Sequence, residues 1–105
     1  MDIQLKRGLL DLCVLAAIKD GESYGYRIIK EMKPFVLISE STLYPILRRL
    51  EEADCLTVRS EEHNGRLRKY YGITPSGRAK LAAFSEEWKE IEAIHQFITR
   101  GGGSE

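Results

Sequence analysis

The chain has 105 residues, and its 16 lysines and arginines balance 16 aspartates and glutamates, so the formal net charge is zero. This length suits one domain with one modest core, to which a subunit interface would add buried surface. No apolar run approaches the ~20 residues that span a bilayer, and residues 1–4 lack the basic start of a secretory signal. We therefore expect a cytoplasmic single-domain protein that does not enter membranes.

The charges are unevenly distributed along the sequence. Residues 64–80 contain five basic side chains and no acidic one, whereas residues 85–92 contain four glutamates and a single lysine. A nucleic acid responds to the local charge of the surface that it meets, so a basic segment matters more than the overall sum. Zero net charge therefore does not exclude a nucleic-acid partner.

The first half of the chain begins with two predicted helices. Residues 5–18 are apolar around most of a helical circumference, which predicts a helix buried on two sides, one of them by a second subunit. Gly21 should end this helix as a left-handed cap. Ser23 should cap a short second helix, which stops before Pro34 because proline cannot continue the hydrogen-bond ladder.

A third helix is predicted from Ser39 or Ser41 to about Ala53. Pro45 indicates that the helix begins within about one turn before it, since a proline deeper inside would cost ~3 kcal/mol. Apolar residues at helical spacing form its inward stripe, namely Leu43, Ile46, Leu47 and Leu50.

Two segments of strand composition and a long helix follow. Residues 56–59 and 68–74 flank the pair Asn64 and Gly65, a strong signal for a β-hairpin. Thr74 with Pro75 predicts the start of the last helix. The expected fold is mainly α with a small β-hairpin, a winged helix-turn-helix over residues 1–74, a C-terminal helix over 75–99, to which the resemblance described below assigns dimerisation, and a disordered tail over 100–105.

The outward face of the third helix and the hairpin tip both carry side chains suited to DNA. Hydroxyl and guanidinium groups form hydrogen bonds with phosphates and base edges. The order of three helices and a hairpin is that of a winged helix-turn-helix, in which the third helix can enter a major groove and the hairpin forms the wing. The residues predicted to bind DNA are Tyr24, Ser41, Thr42, Tyr44, Pro45, Arg48, Arg49, Asn64, Gly65, Arg66, Arg68 and Lys69.

Other interpretations of the same residues stay open. Arg48 and Arg49 could instead pair with Glu40, Glu51 or Glu52, and the tyrosines at 24, 26 and 44 could be core aromatics. A winged-helix module that binds proteins through its apolar last helix is a second functional class. RNA binding would require exposed stacking aromatics, for which Tyr44 and Tyr70 are thin support.

Three strings resemble the PadR family of transcriptional regulators. They are YGY at 24–26, STLYPILRRLE at 41–51 and RLRKYYGITPSG at 66–77, and their order and spacing match as well. The resemblance covers about residues 9–88 and points to the smaller members with one C-terminal helix. It implies a dimeric repressor of a pseudo-palindromic operator, with Ser41, Thr42, Tyr44 and Arg48 at the groove and Arg66, Arg68 and Lys69 on the backbone.

The resemblance also implies that the last helix packs on the first helix of a partner subunit, in agreement with the two-sided first helix. The predicted dimer residues are Leu9, Leu12, Ala16, Leu81, Phe84, Trp88, Ile91, Ile94 and Ile98. Trp88 carries a second hypothesis, a pocket for a small aromatic or cationic effector, which quenching of its fluorescence would support.

No catalytic motif is visible in the sequence. His63 and His95 have no ligand partners at metal-binding spacing, and no phosphate-binding loop or nucleophile motif occurs. Cys13 and Cys55 stand far apart among apolar residues, which is typical of buried thiols. We therefore expect neither an enzyme nor a cofactor or metal.

Overall fold

The computed structural model describes residues 1–101, and within them the chain forms four helices and one two-stranded antiparallel sheet. The elements in chain order are α1 (Ile3–Ala17), α2 (Gly25–Met32), α3 (Glu40–Glu52), β1 (Leu56–His63), β2 (Arg66–Ile73) and α4 (Pro75–Thr99). This arrangement confirms the mainly α fold class, with a helix-turn-helix followed by a hairpin wing. Residues 102–105, most of the predicted disordered tail, lie outside the described part.

The core lies between α1, α2, α3 and the base of the hairpin. Burying one large aliphatic side chain contributes about 1.5–3 kcal/mol relative to leaving it exposed. The inward stripe predicted on α3 is buried in full, and it packs with side chains from the other elements. The fully buried apolar residues that they supply include Val14, Leu15, Ile18, Ile28 and Leu56.

Helix α3 has a well-defined start and end. The Ser39 hydroxyl accepts a hydrogen bond from the Thr42 N–H at 3.3 Å, so Ser39 is the N-cap. At the other end Asp54 adopts a positive φ of 60°, and the Cys55 N–H donates to the Leu50 carbonyl at 2.8 Å. This is a Schellman ending, with aspartate in the place where glycine is commoner.

Pro45 lies slightly deeper in α3 than its sequence position suggested. The helix begins at Glu40, so Pro45 is its sixth residue rather than a residue of the first turn. A normal residue at 45 would donate its N–H to the Ser41 carbonyl, and both Ser41 and Pro45 are exposed. Water can therefore bind that carbonyl, which lowers the cost of the missing hydrogen bond.

Two sequence-based expectations around the α1–α2 connection were wrong. Helix α1 ends with Ile18 as its cap, and Gly21 does not adopt a left-handed conformation. Tyr24, and not Ser23, occupies the N-cap position of α2. Ser23 instead pairs with Tyr71 of β2 through two backbone hydrogen bonds of 3.1 and 2.8 Å. This pairing holds its side chain in the core, where its hydroxyl has no hydrogen-bond partner among residues 1–101.

The hairpin turn follows the prediction from its sequence. Asn64 has a φ of 51° and Gly65 a φ of 78°, and His63 and Arg66 form the last pair of the ladder. Two positive φ values in a two-residue loop are the signature of a type I′ turn, whose twist matches that of the strands. The wing therefore projects as a regular two-stranded ribbon.

Helix α4 leaves the compact part of the molecule soon after it begins. The Thr74 hydroxyl accepts from the Gly77 N–H at 3.0 Å and donates to the Asp54 carbonyl at 2.7 Å, which ties the helix start to the end of α3. With 25 residues α4 is about 37 Å long, and Gly77 is its only buried residue. The molecule accordingly measures 68 × 26 × 22 Å.

Among residues 1–101, no helix combines the length and the apolarity that crossing a membrane requires.

We expect Gly77→Ala to destabilise the fold. A β-carbon at position 77 would collide with the Cys55 carbonyl oxygen and lie 2.8 Å from the Ile73 side chain, where the backbone cannot easily move. Overpacking of this kind costs about 1–3 kcal/mol of the free energy of unfolding, which urea denaturation followed by circular dichroism measures. Gly21→Ala is the control, since its β-carbon meets nothing within 4 Å. Equal midpoints for the two variants would contradict this packing.

Candidate nucleic-acid interface

Helix α3 separates an apolar face from a polar one. Its inward stripe is buried, whereas Ser41, Tyr44, Pro45 and Arg48 are exposed together on the opposite side. Thr42 is also exposed, but it lies at the edge of this face towards α1. The separation follows from the 3.6-residue period of the helix, which puts these positions on one surface. The hydroxyls near its start form a local network, with the Ser39 and Ser41 oxygens 2.8 Å apart.

Tyr44 connects α3 to the start of α2. A β-carbon at position 25 would lie only 2.9 Å from the Tyr44 hydroxyl oxygen, so Gly25 allows the ring to pack against the first turn of α2. Tyr44 remains 43% exposed, which leaves part of its ring on the polar surface. The glycine of the YGY string therefore has a packing role at this helix crossing.

The hairpin presents different side chains on its two faces. Residues paired across an antiparallel ladder share a face, and successive residues alternate. Tyr71 pairs with Val58 and faces the core, so Leu67 and Lys69 lie on this inner face. Lys69 lines a small crevice of about 100 Å³ together with Tyr44 and Arg48. The inner face of the wing thus carries its lysine towards α3.

The outer face of the hairpin carries a compact set of stacked and paired side chains, which we call the wing-base cluster: Glu22, Tyr24, Arg59, Arg68 and Tyr70. The Arg68 guanidinium carbon lies 3.9 Å from the centre of the Tyr24 ring, and Arg59 lies 4.7 Å from that of Tyr70. The two rings meet edge to face at 5.9 Å. Arg59 donates to both Glu22 carboxylate oxygens at 3.0 Å, and these hydrogen bonds lower the pKa of that carboxyl.

A broad groove between the wing and the starts of α2 and α3 brings many of the predicted residues together. Its wall includes Tyr24, Tyr44, Asn64, Arg66, Arg68 and Lys69, with His63 and Leu67 beside them. Glu40 also lines the groove, so its positive side is the wing. Ser41, Pro45 and Arg48 lie on the adjoining exposed face of α3, and Thr42 lies at the edge of that face farther from the groove.

Arg49, also predicted to bind DNA, lies apart from this surface and pairs with α1, and its contact with DNA stays a prediction. Its guanidinium donates to the Asp11 carboxylate on α1, with the two side chains 30% and 14% exposed. The acids proposed from sequence as its partners lay on α3 itself, whereas Asp11 is 38 residues away. No local pattern could identify this pair, because it depends on how α1 crosses α3.

The groove also contains features that the sequence did not single out. Tyr71 is buried beneath it, and this burial raises the pKa of its phenol, with smaller contributions from Tyr44 and Glu51. Glu22 and Arg59 of the wing-base cluster, outside the lining of the groove, were not singled out from the sequence either. The two-residue turn at Asn64 and Gly65, which fixes the register of the hairpin, was the signal that could have placed Arg59 beside Tyr70.

The residues predicted for a dimer line an uncovered apolar surface of this single chain. On α4, Leu81 and Phe84 are half-buried, whereas Trp88, Ile91, Ile94 and Ile98 are exposed. Trp88 is 51% exposed, and its ring centre lies 6.3 Å from that of Phe84. On α1, Leu9 and Leu12 are half-buried and Ala16 is exposed. Phe97, absent from the prediction, is also exposed on α4.

Residues 14–83 match the model of the family described as the transcriptional regulator PadR-like family. The match covers the helix-turn-helix, the wing and the first part of α4. The chain belongs to the PadR family.

Individual PadR-like proteins are similar over nearly the whole chain. A transcriptional regulator of Mycobacterium tuberculosis, Rv3488, is 30% identical over 93% of this chain and 90% of its own length. A PadR-like transcription factor from Bacteroides fragilis superposes with a TM-score of 0.83 at 32% identity, covering 91% of this chain and 95% of that one. The PadR protein of Bacillus subtilis, solved in complex with operator DNA, shares the fold with a TM-score of 0.66 at 24% identity, over 92% of this chain and 50% of that one.

We expect the neighbouring arginines of α3 to differ in their effect on stability. Arg49→Gln removes a shielded hydrogen bond between charged groups and leaves Asp11 without it, so the free energy of unfolding should fall by about 1–2 kcal/mol. Arg48→Gln changes an exposed side chain and should alter it by less than about 0.5 kcal/mol. Thermal unfolding of both variants makes the comparison, and equal losses would mean that the Asp11 pair adds no stability.

Proposed function

We propose that this PadR-family chain is a DNA-binding transcriptional repressor that acts as a homodimer on a pseudo-palindromic operator. The observation that carries the proposal is the common position of two surfaces, the exposed polar face of α3 and the basic inner side of the wing. The operator-bound Bacillus subtilis PadR supports it at the level of a shared fold. Repression follows if the bound dimer covers promoter DNA.

In this proposal α3 enters the major groove, which is about 12 Å wide and admits one helix. Ser41, Thr42, Tyr44 and Arg48 offer hydroxyl and guanidinium groups to base edges and phosphates, and Pro45 keeps the middle of this surface free of a long side chain. Asn64, Gly65 and Arg66 at the wing tip reach the neighbouring backbone, with Lys69 behind them. A guanidinium suits a bidentate contact to guanine, so Arg48 is our candidate for base reading.

The dimer in this proposal uses the 75–99 helix, while residues 1–74 form the DNA-binding unit. The uncovered apolar stripe of α4 would pack on the outer face of α1 in a partner subunit, burying surface that a chain of this size cannot cover alone. Two α3 helices would then face successive turns of DNA. The half-sites should lie about 10 base pairs apart, or a multiple of that.

Control of the regulator by a small aromatic or cationic effector beside Trp88 stays a prediction. The half-exposed Trp88 ring next to Phe84 offers a stacking surface that a dimer could enclose. Because the proposed target is chromosomal DNA, we place the chain in the cytoplasm.

We expect the purified chain to bind DNA from upstream of its own gene more tightly than scrambled DNA of equal length, with two subunits per site. Fluorescence anisotropy at several salt concentrations measures both the affinity and its salt dependence. Arg48→Ala should cost about 1–3 kcal/mol of binding free energy, and Arg66→Ala should lower the salt slope by about 1.8 for two subunits.

Lys89→Ala is the matched control, because Lys89 is an exposed cation on α4 whose loss should change neither quantity. Binding to neither DNA by the unaltered protein would contradict the regulator proposal and favour the protein-interaction module. Equal, salt-sensitive binding to both DNAs would contradict sequence-specific recognition of this upstream site.

We expect Ile91→Asp combined with Phe84→Asp to convert the dimer into monomers, because the proposed interface would then bury two unpaired carboxylates. Sedimentation velocity measures the change. Ala82→Asp combined with Ala93→Asp is the control, since both positions are exposed on the opposite side of α4 and add the same two charges there. A double variant that remained a stable dimer would show that this stripe is not the interface.

A further inference from the structure

The guanidinium of Arg68 already has partners within the fold, unlike that of a free surface arginine. Its guanidinium lies over the Tyr24 ring at 3.9 Å, and its Nη1 donates to the Tyr70 hydroxyl at 3.4 Å. The residue is half-buried, whereas Arg66 and Lys69 on either side are exposed. Stacking on an aromatic ring satisfies the face of a guanidinium, and the hydrogen bond occupies part of its edge.

The stack of Arg68 on Tyr24 lies where the wing joins the start of α2. Tyr24 is the N-cap of α2, and Tyr70 belongs to β2 of the wing. The residues next to them, Ser23 and Tyr71, form the backbone pair that joins the α1–α2 connection to the hairpin. Arg68 therefore bridges the two elements at the joint where the wing meets the helices.

The remaining charges at the joint support the same arrangement. Arg59 covers the Tyr70 ring at 4.7 Å and is held by Glu22, its ion-pair partner at 2.8 Å. Glu61, paired directly with Arg68 across the ladder, also contacts Arg59 at 3.5 Å. Two carboxylates on this outer face thus balance its arginines, which makes the outer face a poor phosphate surface.

We propose that Arg68 is a positioning residue, which fixes the angle of the wing by clamping Tyr24 against Tyr70, and that Lys69 on the inner face makes the phosphate contact in its place. This inference rests on the proposed function and changes the role expected for Arg68 from sequence. Lysine at position 68 would keep the charge but lose the planar stack. The proposal therefore predicts that Arg68→Lys fails almost as badly as Arg68→Gln.

The DNA experiment compares Arg68→Lys, Arg68→Gln and Lys69→Gln by anisotropy at four salt concentrations. Both Arg68 variants should weaken operator binding by a similar factor, about tenfold, with the salt slope of the unaltered protein. Lys69→Gln should lower the slope by about 1.8, the value for one phosphate contact in each of two subunits. Near-normal affinity of Arg68→Lys, together with a slope lowered by about 1.8 in Arg68→Gln, would overturn the proposal.

A second measurement needs no DNA. Amide hydrogen exchange at Ser23 and Tyr71 reports opening of the joint, and the Leu15 amide in α1 reports global unfolding. Arg68→Lys, Arg68→Gln and Tyr24→Leu should each speed exchange at the joint several-fold more than at Leu15, whereas Lys69→Gln should not. Unchanged exchange at the joint would overturn the inference. If the unaltered protein bound no DNA, the proposed function would fail, and the exchange result alone would decide the positioning role.

Discussion

The backbone pair between Ser23 and Tyr71 is the contact on which the geometry of the interface depends. It makes the short segment before α2 an extra partner of β2, so the start of α2 is joined directly to the base of the wing. Tyr44 of α3 packs on the same start of α2, where Gly25 leaves room for its ring. The helix face and the wing are therefore oriented relative to each other through a few backbone and aromatic contacts near one point.

The two faces of the hairpin differ in how their cations are paired, and this difference explains how a chain of zero net charge can present a basic surface. On the outer face arginines are stacked on tyrosines and paired with carboxylates, as in the contact of Arg59 with Glu22. On the inner face and at the tip, Lys69 and Arg66 remain exposed. Phosphates respond to such local fields over about one Debye length, so the sum of charges is a poor guide to binding.

Helix α4 sets a second constraint, because a helix with an apolar stripe is stable in water only when that stripe is covered. Its start is anchored by Thr74 and by the close packing of Gly77, while the apolar side chains from Trp88 to Ile98 are exposed. In the proposed dimer, folding of this helix and association of subunits would be coupled. DNA binding by paired α3 helices would then depend on α4.

Features that arise from neighbouring residues follow directly from the amino-acid sequence. Caps at Ser39 and Thr74, the type I′ turn at Asn64 and the two faces of α3 all depend on spacings of a few residues, where local sterics and hydrogen bonds act. The strings at 24–26, 41–51 and 66–77 also sufficed to identify the PadR family.

The contacts between distant residues depend instead on how the helices and the wing pack together. The side chain of Ser23 could cap α2, or its backbone could pair with a strand. Because β2 lies beside it, Ser23 forms the backbone pair. Arg49 pairs with Asp11 because α1 crosses α3. Arg68 stacks on Tyr24 because β2 pairs with the segment that precedes α2. Charged and aromatic side chains reach several ångströms and can pair in many ways, so the packing of the helices and the wing, and not residue type, assigned their roles.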